Sequence, residues 1–232
     1  MEIGGQPILW HILKIYSHHG INDFIIFLGY QGHLIKEHFA NFLLHNSTLT
    51  IDLGASHIDI LEHHTEPWRI TLVDTGENAG TGGRLGRVSR LLAEEKTFCS
   101  TYGDGVGNVD IRALIRHHES HGKAAKVTAV TPPGRFRTLR LAGEQVTEFT
   151  ETPYGDNGLI NGGYFVLNCC TLDLIEGDDT GWEDRPIAAL VQQGQLAAYR
   201  HTGFWYPMDT LRDRTYLEHL WTSGAAPWRV WC

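Results

Sequence analysis

The sequence predicts an α/β protein: a mostly parallel mixed sheet, helices on both faces and a small antiparallel insertion. Three observations predict it. Helical and strand patterns alternate over the first half of the chain. The clearest strand candidate there is a short, continuous apolar run of the kind buried on both faces. From about 126 to 160 the pattern changes to short strands around Pro and Gly turns, which reads as mainly antiparallel structure. With 232 residues, 42% of them hydrophobic, there is enough apolar material for one domain spanning 1–232.

Taken in order, Ile8, Leu9, Ile12, Leu13 and Tyr16 recur at helical spacing, with Pro7 suited to the first turn and Gly20 to the C-terminal cap. Phe24-Ile25-Ile26-Phe27-Leu28 follows as a buried strand, and a second helical pattern covers about 31–44. Strands are expected at about 49–53, 58–62 and 69–74, a helix at 83–94, a strand at 97–102 and a helix at 110–121. Segments 127–131, 139–141 and 146–150 are short strands around Pro132-Pro133-Gly134 and Ala142-Gly143-Glu144. A buried strand at 163–168, a helix at 185–193, a strand at 196–201 and a helix at 211–221 complete the pattern.

Charge and composition remove several function classes. The 27 acidic and 19 basic residues give a net charge of −8, and no basic block stands out to neutralise a phosphate backbone, so no nucleic-acid partner is expected. No apolar run approaches the roughly 18–20 residues of a membrane span. MEIGGQPILW has neither the basic nor the apolar region of a signal peptide, which gives the cytoplasm as the expected compartment and no membrane partner. Cys99, Cys169, Cys170 and Cys232 form no C-x-x-C pair, and reduced thiols are the simpler assignment. The 14 histidines include the doublets His18-His19, His63-His64 and His117-His118, with His121 one turn beyond His117. That i, i+4 spacing suits a metal, but no further ligand accompanies it, and solvated helix-end and loop histidines account for the set.

Ligands of open α/β sheets bind beyond the carboxyl ends of the strands. Gly103-Asp104-Gly105 lies directly after the strand at 97–102. Its glycines permit close backbone approach, and Asp104 suits a carboxylate holding Mg²⁺ against a phosphate; an Asp-Gly turn closing the strand has the same sequence. Asp209 precedes a helical pattern, where an ordinary N-cap is expected, but with Asp104 it makes the second carboxylate of a Mg²⁺ site. In Asp74-Thr75-Gly76-Glu77-Asn78-Ala79-Gly80-Thr81-Gly82-Gly83-Arg84-Leu85, three glycines lead into a helix. Such a loop presents N–H groups to an anion or base, with Arg84 adding positive charge, or is a plain surface loop. It is neither G-x-G-x-x-G nor a Walker A sequence. Asn161-Gly162-Gly163 offers an amide to sugar hydroxyls or forms a turn, and Pro132-Pro133-Gly134-Arg135 is equally open. Trp10, Trp182, Trp205, Trp221, Trp228 and Trp231 suit base or sugar stacking, or core and interface area; the cluster at 225–231 suits a neighbouring subunit.

In their order and spacing these segments resemble the glucose-1-phosphate cytidylyltransferases, a branch of the sugar-phosphate nucleotidyltransferases. The resemblance runs through Glu2-Ile3-Gly4-Gly5-Gln6-Pro7, Thr81-Gly82-Gly83-Arg84-Leu85, Thr101-Tyr102-Gly103-Asp104-Gly105-Val106, Pro132-Pro133-Gly134-Arg135-Phe136, Asn161-Gly162-Gly163 and Pro207-Met208-Asp209-Thr210-Leu211-Arg212-Asp213. It implies a Rossmann-like nucleotidyltransferase that forms CDP-glucose and pyrophosphate from CTP and α-D-glucose 1-phosphate, early in a route to dideoxy sugars of bacterial surface polysaccharides. Asp104 and Asp209 would be catalytic and coordinate Mg²⁺. Thr81, Gly82, Arg84 and Gly103 would line the nucleotide site, and Glu151, Asn161 and Gly162 the sugar-phosphate side. A homo-oligomer is also implied. The family's glycine-rich triphosphate loop and its lysine segment would precede Met1, so an N-terminally incomplete domain is expected. Thr152 stands where the family has lysine. A non-catalytic sugar-nucleotide-binding homologue, or an enzyme using another nucleotide or sugar phosphate, are the alternatives.

Overall fold

The apolar face formed by Ile8, Ile12, Leu13, Ile15 and Tyr16 is buried, and it folds the segment after Pro7 into a helix, Ile8–His18, that stops before Gly20 at φ +86°. The computed structural model describes residues 1–63, 65–133, 137–142, 145–151 and 159–231. Along the chain run β1 (Glu2–Ile3), β2 (Gln6–Pro7), α1 (Ile8–His18), β3 (Asp23–Leu28), α2 (Gly32–Ala40), α3 (Phe42–His45), β4 (Ser47–Asp52), β5 (His57–His63), β6 (Arg69–Asp74) and α4 (Thr81–Arg87). There follow β7 (Thr97–Thr101), β8 (Gly105–Gly107), α5 (Ile111–His121), β9 (Ala125–Val130), β10 (Arg137–Ala142), β11 (Gln145–Glu151) and β12 (Ile160–Asn168). The last elements are α6 (Arg185–Gln192), β13 (Leu196–Arg200), β14 (Trp205–Pro207) and α7 (Leu211–Thr222).

Two compact units result. The first comprises Met1–Ile21, Leu92–Leu174 and Ile187–Cys232, the second Asn22–Leu91 and Ile175–Pro186. The first unit holds a four-stranded sheet in the order β13-β9-β12-β7, with β9 and β13 parallel and β12 antiparallel to both β9 and β7. Its core includes Ile12, Ile15, Ile111, Leu114, Phe165, Leu167, Leu217 and Trp228. His11 is buried within this core: its Nε2–H donates to Ile3 O (2.9 Å) and its Nδ1 accepts from Trp228 Nε1–H (3.4 Å). Burial holds the His11 pKa down at about 4, so the ring stays neutral. The second unit pairs β3 and β6 in parallel and β4 with β5 as an antiparallel hairpin.

The α/β class holds, but the parallel share is smaller than the alternation predicts. Its parallel pairs, among the described residues, are β3–β6 and β9–β13. Between β9 and β12 the chain makes the antiparallel β10–β11 pair instead of a helical crossover, and a strand that returns without a crossover returns antiparallel. The strand expected to be buried on both faces, β3, is half-buried at Phe24–Phe27 and closed only at Leu28. The helix expected over 31–44 is two, because the Asn41 Nδ2–H and N–H both donate to Glu37 O and end α2 there. No described helix is long and apolar enough to cross a membrane. Gly134, Arg135, Phe136, Gly143, Glu144, Thr152, His64 and Cys232 lie outside the described residues.

Candidate active site

In the first unit β8 and β14 form a short antiparallel ribbon, with Gly105 opposite Pro207 and Gly107 opposite Trp205. The residue preceding β8 therefore lies beside the residues following β14. Met208 N–H donates to Asp104 O at 2.7 Å, so Asp104 and Asp209 leave the same end of the ribbon. Solvent reaches Asp104, yet the protein atoms crowded around its carboxylate, and secondly the like charge of Asp209, raise its pKa above the usual 3.8. Two hard oxygen ligands with mutually unfavourable charge fit Mg²⁺ completed by phosphate oxygens and water. Among the described residues no group of three or more His, Cys, Asp or Glu comes together as a metal cage.

Asp209 is not the N-cap that its position suggests. Thr210 caps α7: its hydroxyl accepts from Asp213 N–H (3.2 Å), and Asp213 Oδ2 accepts from Thr210 N–H (2.9 Å) and Asp209 N–H (3.2 Å). Buried Asp213 thus fixes the backbone that carries Asp209. The spacing Thr210-x-x-Asp213 is the signal that finds it. Tyr164, also buried, donates its hydroxyl to the carbonyl of Gly105, the residue after Asp104 (3.2 Å). A Cβ on Gly103 would meet nothing within 4 Å, which leaves room for a ligand at that position.

Asn161-Gly162-Gly163 interrupts the β12–β9 register. Gly163, at φ +76°, donates its N–H to Asn161 Oδ1 (2.8 Å), while Asn161 Nδ2–H donates to the Tyr102 hydroxyl (3.3 Å). Glu151 closes β11.

The loop of the second unit is different in kind. Thr81 donates its hydroxyl to Glu183 (2.8 Å) and accepts from Trp182 N–H (2.8 Å). Arg84 donates to Leu28 O (3.2 Å), Thr75 Oγ1 (2.8 Å) and Glu77 O (3.0 Å), pinning the ends of β3 and β6. Gly80 and Gly83 N–H already donate to Asp178 O (2.7 Å) and Thr180 O (3.0 Å). A Cβ on Gly83 would fall 2.0 Å from Asp178 O and one on Gly82 3.0 Å from Thr180 O, so the glycines admit the 178–182 backbone. That partner lies about a hundred residues downstream, out of reach of local sequence reading. A cavity of about 360 Å³, which sequence reading missed, opens at the carboxyl ends of β3 and β6, lined by Tyr30, Gln31, His33, Lys36, Asp74 and Glu77.

His117 and His121 face each other with Nε2 atoms 3.3 Å apart, and Lys126 Nζ lies 2.7 Å from His117 Nδ1. Trp228 proves to be core, fully buried against His11 and Phe204.

The fold is that of a nucleotidyltransferase. The structure matches that of the inositol-1-phosphate CTP transferase from T. maritima with a TM-score of 0.63 at 13% identity, covering 100% of this chain and 88% of that one. No family model matches the sequence. It is 53% identical to the glucose-1-phosphate cytidylyltransferase of Salmonella typhimurium strain LT2, over 100% of this chain and 90% of that protein. With the probable glucose-1-phosphate cytidylyltransferase of Bacillus subtilis strain 168 it shares 40% over 99% of this chain and 89% of the relative. The chain belongs to the glucose-1-phosphate cytidylyltransferase family.

Proposed function

We propose that this protein transfers the cytidylyl group of CTP to α-D-glucose 1-phosphate, giving CDP-glucose and pyrophosphate. The observation that carries the reading is the carboxylate pair at the end of the β8–β14 ribbon, in a chain of this family. A phosphate oxygen of the sugar phosphate forms a bond to the α-phosphorus of CTP, and the bond to pyrophosphate breaks in line. Alignment and charge neutralisation are the protein's tasks. Asp104 and Asp209 are the residues that would hold Mg²⁺, which when bound supplies positive charge against the triphosphate. Thr210 and Asp213 hold Asp209 in position, and Tyr164 holds the turn that carries Asp104. We assign Thr81, Gly82, Arg84 and Gly103 to the nucleotide, and Glu151, Asn161 and Gly162 to the sugar phosphate. In-line transfer of this kind requires no covalent protein nucleophile. The proposal places the enzyme in the cytoplasm as a homo-oligomer, which light scattering at micromolar concentration checks.

The test is pyrophosphate release from glucose 1-phosphate and Mg²⁺ with CTP, UTP or dTTP. Release with CTP alone is expected. Release with another nucleotide moves the base assignment, and CDP-glucose binding without turnover makes the protein a binding homologue.

A further inference from the structure

Trp205 bridges the two sides of this site through its indole N–H, a use other than the base or sugar stacking that its ring suggests in the sequence. Its partner across the ribbon is Gly107, with Gly105 two residues further on the same face. A Cβ on Gly107 would lie 3.4 Å from Trp205 Cδ1, and one on Gly105 3.5 Å from Nε1. The indole therefore runs along a trough made by two glycines, from its own strand toward the turn that carries Asp104. At the far end its Nε1–H donates to Gly162 O at 2.8 Å. That carbonyl lies in the stretch between Asn161 and Phe165 where β12 loses register with β9. The same stretch is held from its other side by Gly163 N–H on Asn161 Oδ1.

We infer that Trp205 is a positioning residue whose indole N–H sets the spacing between the Asp104–Asp209 carboxylate pair and the Asn161-Gly162 turn. The inference rests on the assignment of that turn to the sugar phosphate. A rigid bicyclic ring with one directional donor fixes a distance that a flexible side chain does not. Removing the donor leaves Gly162 O without its partner and lets the turn drift from the carboxylates.

The experiment compares wild type, Trp205→Phe and a chain carrying benzothienylalanine at position 205, which keeps the ring shape and loses the N–H. Steady-state constants for each substrate are measured together with amide hydrogen exchange. In both variants we expect KM for glucose 1-phosphate to rise about tenfold, the loss of one such hydrogen bond. KM for CTP should stay within twofold, and exchange should quicken at Gly163 N–H but not in α1. Equal rises for both substrates, or a normal KM in the benzothienylalanine protein, overturn the inference. If wild type does not turn over these substrates, the functional reading falls, and exchange at Gly163 alone decides: unchanged protection overturns the strut, and lost protection supports it. Should Trp205→Phe not fold, the isosteric protein carries the same decision.

Discussion

The ribbon of β8 and β14 and the glycine loop of the second unit both look from sequence like ligand-binding segments, yet they commit their polar groups differently. In the loop the protein uses its own polar groups: Thr81, Arg84 and the Gly80 and Gly83 N–H groups all have protein partners, and backbone fills the space beside the glycines. At the ribbon, two carboxylates of like charge are brought together, and crowding by protein atoms, with the neighbouring charge second, raises the pKa of Asp104. A glycine cluster is thus ambiguous between admitting a ligand and admitting another stretch of chain. A like-charge pair carries a cost that a cation relieves, and is the better guide to a site.

The largest effect should separate the regions by activity. Asp104→Asn and Asp209→Asn each lower kcat on the order of 10²–10³-fold while the fold persists, as circular dichroism and turnover together check. Next comes a pair of glycines. Gly83→Ala drives a Cβ onto Asp178 O and costs about 3 kcal/mol, read as a melting point lower by roughly 6–12 °C. Gly103→Ala, with open space around it, leaves the melting point unchanged and raises KM for CTP; the reverse outcome would erase the contrast. Smaller again is Arg84→Lys, which keeps the charge but loses the fork that spans three acceptors. It should lower the melting point by about 4 °C and raise KM for CTP about tenfold. A KM rise with an unmoved melting point would give Arg84 to the nucleotide alone.

The smallest effect is a gain. The raised Asp104 pKa means that the folded state binds this proton more tightly than the unfolded state. Its destabilising contribution is absent below 3.8, grows as pH rises through that value toward the raised one, and is constant beyond. Asp104→Asn should therefore melt slightly higher than wild type at pH 7, the effect being small because solvent reaches the charge. The difference should vanish near pH 3, and Mg²⁺ should raise the melting point of wild type only.

Much of this was legible in the residues themselves. The periods of α1 and α5 and the apolar run of β3 place those elements within a residue or two, because local spacing decides them. Asp104 and Asp209 were legible as chemistry. The ribbon that joins them was not, since strands of three residues are too short to show a period. Nor was the use of Gly80, Gly82 and Gly83, whose packing partner is set by tertiary structure. The cap that the position of Asp209 also offers falls instead to Thr210, which with Asp213 makes the reciprocal pair one residue later.

The bond from Trp228 to His11 spans 217 residues of sequence, and it has a consequence for synthesis. At ribosomal speeds of about 5–20 residues per second, α1 emerges roughly 10–40 s before the tryptophan that covers it. Throughout that interval Ile12, Ile15 and Tyr16 have no completed core to enter. Until Trp228 is made, the apolar face of α1 lacks the residue that closes it and stays open to other apolar surfaces.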